Sequence, residues 1–330
     1  MLNFNDIALV WGENESTNNP AKSPSVSVSL WSEIIGSEWN RWDTSDICNV
    51  PDTVRTCKVA LVNLFHTADS IHIEQIRQVN LSCYILACPD PSLDLVLSNP
   101  SWMNMYKQMQ LADAVGGRTH ADCDVYGTLL NKPTYYFPSP IGLTEWFLPY
   151  RELPKSDYLL TLDHAFAPAN TVCNVAAVAA IQRKTGLRVL YAAEREWTKE
   201  YAQLAELECE WLGCVPFTEM VDLTARAKLC VDIYSSHSYG RQQVVCGMVG
   251  TPIIASEWCE DAPGYHVNPF HPEREMNYAL NYLNDPVNYQ DAREQGYRWV
   301  DNAFSFDASD ARLRMLLRQI EAERIKGEVA

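Results

Sequence analysis

The chain has 330 residues, 47% of them hydrophobic, with 14 Gly, 18 Pro and a formal charge of −16. That length exceeds one ordinary core and suits two domains, and the composition is globular, neither fibrous nor disordered. The acidity is even, with 8 Lys and Arg against 16 Asp and Glu over residues 1–150 and 18 against 26 beyond, so neither half is a basic module that would grip a phosphate backbone.

Nucleic acid is therefore disfavoured as a partner, a local basic groove being the one route left open. No run of about 18 uncharged apolar residues occurs, so no membrane span is expected. The start, MLNFNDIALVWGENE, lacks a basic region and a small-residue cleavage site, which argues against a signal peptide and for a cytoplasmic protein. The 11 cysteines are odd in number and scattered, with no C-x-x-C pair, and the seven histidines form no H-x-x-x-H pattern. Free thiols and no bound metal are the expectation.

In chain order, IALVW (7–11), VALVNLF (59–65), CYILAC (83–88) and LADAV (111–115) read as strands of the first half. YLLTL (158–162), RVLYAA (188–193), CVPF (214–217), LCVDIYSS (229–236) and PIIAS (252–256) read as strands of the second. Helical patterns lie between them at 25–35, 99–110, 170–186 and 198–213. Apolar strands alternating with helices predict parallel sheets covered on both faces, an α/β protein.

The stretch FPSPIGLTEWFLPYRELPKSD (137–157) is proline-rich, lacks helical periodicity and separates two strand-helix series. It predicts a domain boundary, with domains at 1–150 and 151–330 and a hinge within 138–157. The segment 309–330 reads as an amphipathic helix that either ends the second domain or packs back on the first. Ligands of open α/β sheets bind at the carboxyl ends of the strands, which directs attention to the segments that follow each strand.

After the first strand, WGENESTNNPAKSPSVSVS is long and polar, and Gly12, Glu13 and Asn14 are its best-placed residues. His66 follows the second strand and Asp90 the third; each has a plain alternative, a structural hydrogen bond for the histidine and an Asp-Pro turn for the aspartate. Gly116-Gly117 reads as a tight turn, with Thr119 and His120 placed to face a ligand. The aromatic residues Trp31, Trp39, Trp42, Trp102, Tyr106, Tyr135, Tyr136 and Trp146 suit a sugar surface, although most, Trp31 and Trp102 included, are expected in the core.

The most informative stretch is VDIYSSHSYGRQQVVCGMVGTPIIAS (231–256). A strand ends at Ser235-Ser236, the loop His237-Ser238-Tyr239-Gly240-Arg241-Gln242 enters a helix, and Gly250-Thr251-Pro252 turns into the next strand. A helix entrance offers unpaired N–H groups to an anion. Gly240 would allow close approach or positive φ, and Arg241 adds charge. An ordinary ligand-free βαβ unit has the same local pattern.

Over residues 213–256 the series VPFTEMVDLTARAKLCVDIYSSHSYGRQQVVCGMVGTPIIAS resembles the donor half of glycosyltransferase-B enzymes. It is most similar to the large retaining nucleotide-sugar family, whose frame runs through Pro-Ser, Glu-Gly-Phe-Gly, a second Glu and Gly-x-Pro-Val-Ile-Ala-Ser. The resemblance implies two Rossmann-like domains facing across a cleft, with the donor held by the second and the acceptor by the first. It implies a sugar transferase, retaining and metal-independent, that needs no cofactor beyond the nucleotide sugar as co-substrate. Donor contacts would come from Gly12, Glu13, His164, Asn170, Thr171, Arg195, Phe217, Ser236, His237, Ser238, Tyr239, Gly240, Arg241 and Gln242. Asn14, Thr119 and His120 would meet the acceptor, and His66 or Asp90 would serve as base if the enzyme inverts instead.

The departures are specific. The family's paired glutamates fall on His237 and Val245, and valine cannot hold a ribose. The basic pair at the start of the second domain is replaced by Asp163 and His164, leaving Arg195 and Arg241 as substitute cations and Asn170 or Thr171 as the next helix cap. Either the donor is unusual or catalysis is lost. The entrance SSHSYGRQ has stayed polar and glycine-bearing, which favours the first. The rival readings are a viral enzyme that glycosylates hydroxymethylated pyrimidines in DNA, and an inactive sugar- or nucleotide-binding protein of the same fold.

Overall fold

The computed structural model describes residues 2–11, 26–36, 40–41, 50–64, 73–89, 103–140, 144–162, 168–192, 195–233, 240–257, 259 and 262–329. The chain divides into two compact units, one of Met1–Gly142 with Ala303–Ala330 and the other of Leu143–Asn302.

The N-terminal unit runs β1 (Ile7–Trp11), α1 (Val26–Ile35), β2 (Asn40–Arg41), α2 (Asp52–Thr56), β3 (Val59–Leu64) and α3 (Ile73–Val79). It continues with β4 (Tyr84–Pro89), α4 (Met103–Leu111), β5 (Ala114–Gly117), α5 (His120–Leu130) and β6 (Thr134–Tyr136). Its sheet has the order β2-β1-β3-β4-β5-β6, every pair parallel, with Ile7 opposite Val59 and Val59 opposite Tyr84. Both faces are covered, so the central strands are continuous apolar runs, with Val59, Ala60, Leu61 and Val62 all buried.

The strand expected at 111–115 lies three residues later. Leu111 ends α4, and Asp113 turns the chain by accepting the Ile85 N–H at 2.7 Å while pairing with Arg77. Gly116 and Gly117, read from sequence as a turn, are the end of β5. A Cβ on Gly117 would meet Cys123 Sγ at 2.6 Å, so the residue is glycine because α5 packs against the strand there.

The C-terminal unit begins in helix. α6 (Thr144–Arg151) occupies the stretch expected to lack helical structure, with Pro149 inside it and Phe147 buried. Then come β7 (Ser156–Leu162), α7 (Pro168–Thr185), β8 (Arg188–Ala192), α8 (Glu196–Leu204), β9 (Glu210–Trp211), α9 (Phe217–Arg226) and β10 (Ala227–Asp232). α10 (Arg241–Val249), β11 (Ile253–Ser256), β12 (Tyr265–Val267), α11 (Pro272–Leu283) and α12 (Pro286–Ala303) complete the series, Ala303 itself counting with the first unit. The sheet order is β12-β11-β10-β7-β8-β9, again all parallel. Two expectations shift here. The helix expected to run to 213 stops at Leu204 and leaves β9 at Glu210–Trp211, and CVPF forms no strand, Pro216 being the N-cap of α9.

Glycines set the packing of α10. A Cβ on Gly247 would meet Val300 Cγ2 at 2.7 Å and the Gly296 carbonyl at 3.0 Å, so α10 and α12 cross where both chains lack side chains. Gly250 caps α10 with φ 67°, a left-handed conformation natural to glycine, and a Cβ there would land on the Tyr297 hydroxyl. The last helix, α13 (Phe306–Val329), belongs to the N-terminal unit: Leu313, Leu316, Leu317 and Ile320 share a core with Ile7, Leu9, Leu61 and Trp31. No helix among the described residues is long and apolar enough to cross a membrane, and none of the ten described cysteines is in a disulfide.

Candidate functional site

Renumbered from β7, the C-terminal sheet has the order 3-2-1-4-5-6, that of a dinucleotide-binding sheet, and its order reverses between β7 and β10. Such a switch point opens a crevice at the carboxyl ends of the two strands, where open α/β sheets bind ligands. β7 ends at Leu162, immediately before the segment that holds Asp163 and His164, and β10 ends at Asp232, just before Ser235–Tyr239. The strand ends that precede both candidate donor segments therefore lie side by side at the switch point.

A residue missed by sequence reasoning holds that edge together. Asn174, fully buried in α7, donates to Thr161 Oγ1 and to the Leu162 carbonyl at 3.1 Å, and its Oδ1 accepts the Ile233 N–H at 3.1 Å. Thr161 Oγ1 in turn donates to the Val231 carbonyl at 2.9 Å. One amide side chain therefore fixes the ends of β7 and β10 relative to each other. The available signal was a single asparagine inside the apolar helical run VCNVAAVAAI.

The entrance of α10 faces the same edge. Gly240 is its N-cap, and the N–H groups of a helix's first turn have no partner within the helix. Its φ of −86° and ψ of 163° are extended and open to any residue. The positive-φ reading of Gly240 is therefore corrected; room for close approach is what remains. Arg241 opens the helix backbone. Val245, at the family's second glutamate position, is buried at 1% exposure in the core.

Several candidates take other roles. Gln242 is buried and donates to Thr224 Oγ1 at 3.0 Å, tying α10 to α9, so it is a packing residue rather than a donor contact. Neither Asn170 nor Thr171 caps α7, because that helix already starts at Pro168, and Thr171 is fully buried. Phe217 is half-buried in the first turn of α9. Arg195 is exposed at the N-cap of α8, beyond the carboxyl end of β8, with its guanidinium carbon 5.6 Å from the Trp197 ring centre.

In the N-terminal sheet the order reverses between β1 and β3. Gly12, Glu13 and Asn14 follow β1, and His66 follows β3 by two residues, so all four flank that switch point in sequence, with Asp90 directly after β4. These five residues, His164 and the run Ser236, His237, Ser238 and Tyr239 lie outside the described residues, as do the side chains of Asn170 and Arg241. Thr119 is corrected to a structural role: its hydroxyl accepts the Asp122 N–H at 2.9 Å and its own N–H reaches Asp122 Oδ2 at 3.1 Å, a capping box that starts α5. His120 is exposed and stacks on Tyr136 with ring centres 4.2 Å apart, so it offers an aromatic surface beyond β5 and β6. Trp31 is in the core, stacked on Phe137 at 4.5 Å.

No protein-family model and no curated protein matches the chain. Solved structures do match its backbone. A trehalose-6-phosphate synthase, OtsA, has a TM-score of 0.70 at 9% identity, over 94% of this chain and 99% of that one. A sucrose-phosphate synthase from Thermosynechococcus elongatus has 0.67 at 15% identity, over 96% and 99%. An alpha-glucosyltransferase in complex with UDP and a 13-mer DNA has 0.64 at 10% identity, over 94% and 99%. At these identities the likeness is one of fold. The chain has the glycosyltransferase-B fold, two Rossmann-like α/β domains.

Proposed function

We propose that the chain is a glycosyltransferase that moves a sugar from a nucleotide-sugar donor to a carbohydrate or other small acceptor. The observation that carries this reading is the glycine-led entrance of α10 at the switch point of the C-terminal sheet, on a fold shared with transferases solved with UDP. In sugar transfer the departing diphosphate gains negative charge as the sugar becomes oxocarbenium-like. Backbone N–H groups of residues 240–242, the partial positive charge of the helix end, and the guanidinium of Arg241 or Arg195 would stabilise that charge, with no metal needed. The resemblance to the retaining family supports transfer with retention, which asks for no strong base; inversion would instead recruit His66 or Asp90. Residues 12–14 and His120 of the N-terminal unit are assigned to donor phosphates and acceptor.

A second reading is favoured by the alpha-glucosyltransferase solved with UDP and DNA: a hydroxymethylated base in DNA as the acceptor. The even acidity of both halves opposes it. Filter binding to duplex DNA at low salt separates the two, and retention of the duplex would favour the second. A third, an inactive binding protein, predicts no release of nucleotide diphosphate when donor is supplied without acceptor.

The primary test is a thermal-shift screen against UDP, GDP, ADP, CMP and their sugars. Ligand at a hundredfold excess over its dissociation constant adds about 2.7 kcal/mol of stability. Gly240→Val, whose backbone angles any residue accepts, should keep the fold and abolish both the shift and transfer. Normal donor binding by that variant would remove α10 from the site.

A further inference from the structure

A second chemical site lies at the opposite edge of the N-terminal sheet, and it is independent of the sugar-transfer reading. Cys57 ends the segment before β3 and Cys83 immediately precedes β4, and their sulfurs are 3.4 Å apart. β3 and β4 are neighbours in parallel register, with Val59 opposite Tyr84, so Cys57 and Cys83 lie side by side, one residue out of register, where the chain enters the two strands. The sulfur contact shows that the two side chains turn toward each other, the arrangement a disulfide requires.

The surroundings hold the two sulfurs in place. Asn80 donates to the carbonyls of Val54 and Cys57 at 2.9 and 2.8 Å, pinning the end of α2 beneath the 80–82 turn. Arg77 donates to the Cys83 carbonyl at 2.7 Å and pairs with Asp113. The pair is also asymmetric. Cys57 retains 6% exposure and Cys83 1%. The hydrogen bond from Cys83 lowers the Cys57 thiol below its ordinary range, while that same hydrogen bond and burial push Cys83 up. Cys57, the more exposed of the two and the one whose ionised form the Cys83 hydrogen bond favours, is therefore the thiol that meets a small oxidant first, and Cys83 the one that follows.

We infer that Cys57 and Cys83 form a redox-active dithiol that a hydroperoxide closes to a disulfide. The Cys57 thiolate attacks the peroxide oxygen; the O–O bond breaks, the alkoxide or hydroxide leaves and takes a proton, and Cys57 becomes a sulfenic acid. Cys83 sulfur then attacks the Cys57 sulfur, the S–OH bond breaks, and water leaves with the thiol proton. Two thiols have lost two electrons and two hydrogens, and the peroxide has been reduced. The bond closes a loop between residues 26 positions apart, at the amino ends of strands about 20 Å long, away from the carboxyl edge where the donor is assigned.

The test uses the folded, full-length protein. Hydrogen peroxide treatment, alkylation of remaining thiols and digestion should yield a peptide linking 57 to 83, absent after dithiothreitol, with a higher melting temperature for the oxidised protein. Cys83→Ser should leave Cys57 as a sulfenic acid trapped by dimedone, and Cys57→Ser should give no sulfenic acid at Cys83. The inference is overturned if exposed Cys214 oxidises while Cys57 and Cys83 both remain alkylatable on unfolding. It is equally overturned if Cys57 proceeds to the sulfinic acid in the presence of Cys83. Both of these readouts come from the protein without substitutions, so a variant that fails to fold leaves the test intact.

Discussion

Asn174 and Asp122 illustrate opposite uses of a buried polar side chain. Asn174 has its donors and acceptor committed to Thr161, Leu162, Tyr191 and Ile233. Asn174→Ala would leave the Ile233 N–H and the Leu162 carbonyl unpaired in a dry environment, at a cost of about 1–3 kcal/mol. Urea unfolding should show that loss, and donor binding should weaken with it because β7 and β10 lose their shared tie. Unchanged values in both measurements would reduce Asn174 to filler. Asp122 is 3% exposed, and burial pushes its carboxyl up to about 6 despite the capping-box hydrogen bonds and nearby Arg118. With the folded value above the unfolded 3.8, the native state holds the extra proton, so stability is fully present below about pH 4 and falls as pH rises through about 6. That difference corresponds to about 3 kcal/mol. Asp122→Asn keeps the acceptor for Thr119 and removes the charge, so it should flatten the stability profile between pH 4 and 7 and raise the neutral melting temperature. A profile as steep as the parent's would assign that slope elsewhere.

Helix α10 joins the candidate site to the packing of the second unit. Its entrance carries Gly240 and its exit Gly250, and the two glycines differ, a buried N-cap with extended backbone at one end and a left-handed turn under Tyr297 at the other. Gly250→Ala should cost more than the roughly 1–2 kcal/mol of the left-handed conformation alone. Gly186→Ala is the matched control, with φ 68° and nothing within 4 Å of its added carbon. Equal losses for the two in urea unfolding would mean that Tyr297 yields without cost. The same contrast explains what could be read from sequence. Long buried strands such as β3 and β10 announce themselves as apolar runs, and Gly-Thr-Pro after α10 marked its exit. β2, β6, β9 and β12 are edge or near-edge strands of two or three residues, too short to carry an apolar run. The site followed the same rule. Gly240 stands at the expected helix entrance, whereas Gln242 packs α10 on α9, Thr119 caps α5, and Thr171, named as a helix cap, is buried inside α7. Asn174 was missed because its partners come from β7 and β10, which only the folded sheet brings together.

At the scale of the whole molecule, α13 completes the core of the N-terminal unit from the far end of the chain. Leu313, Leu316, Leu317 and Ile320 cover Ile7, Leu9 and Leu61, and each is buried to 3% exposure or less. Deleting residues 304–330 should expose that face and make the protein aggregate, and supplying the segment as a separate peptide should restore solubility. A deletion variant that stays monodisperse, with the parent's melting temperature, would contradict the packing. Because its helix arrives after the whole of residues 143–302, the first unit to leave the ribosome is the last to be completed. At about 5–20 residues per second its strands wait on the order of 10–30 s with that face uncovered. Translation speed through the second unit, and the chaperones present during that interval, should therefore govern the yield of the first.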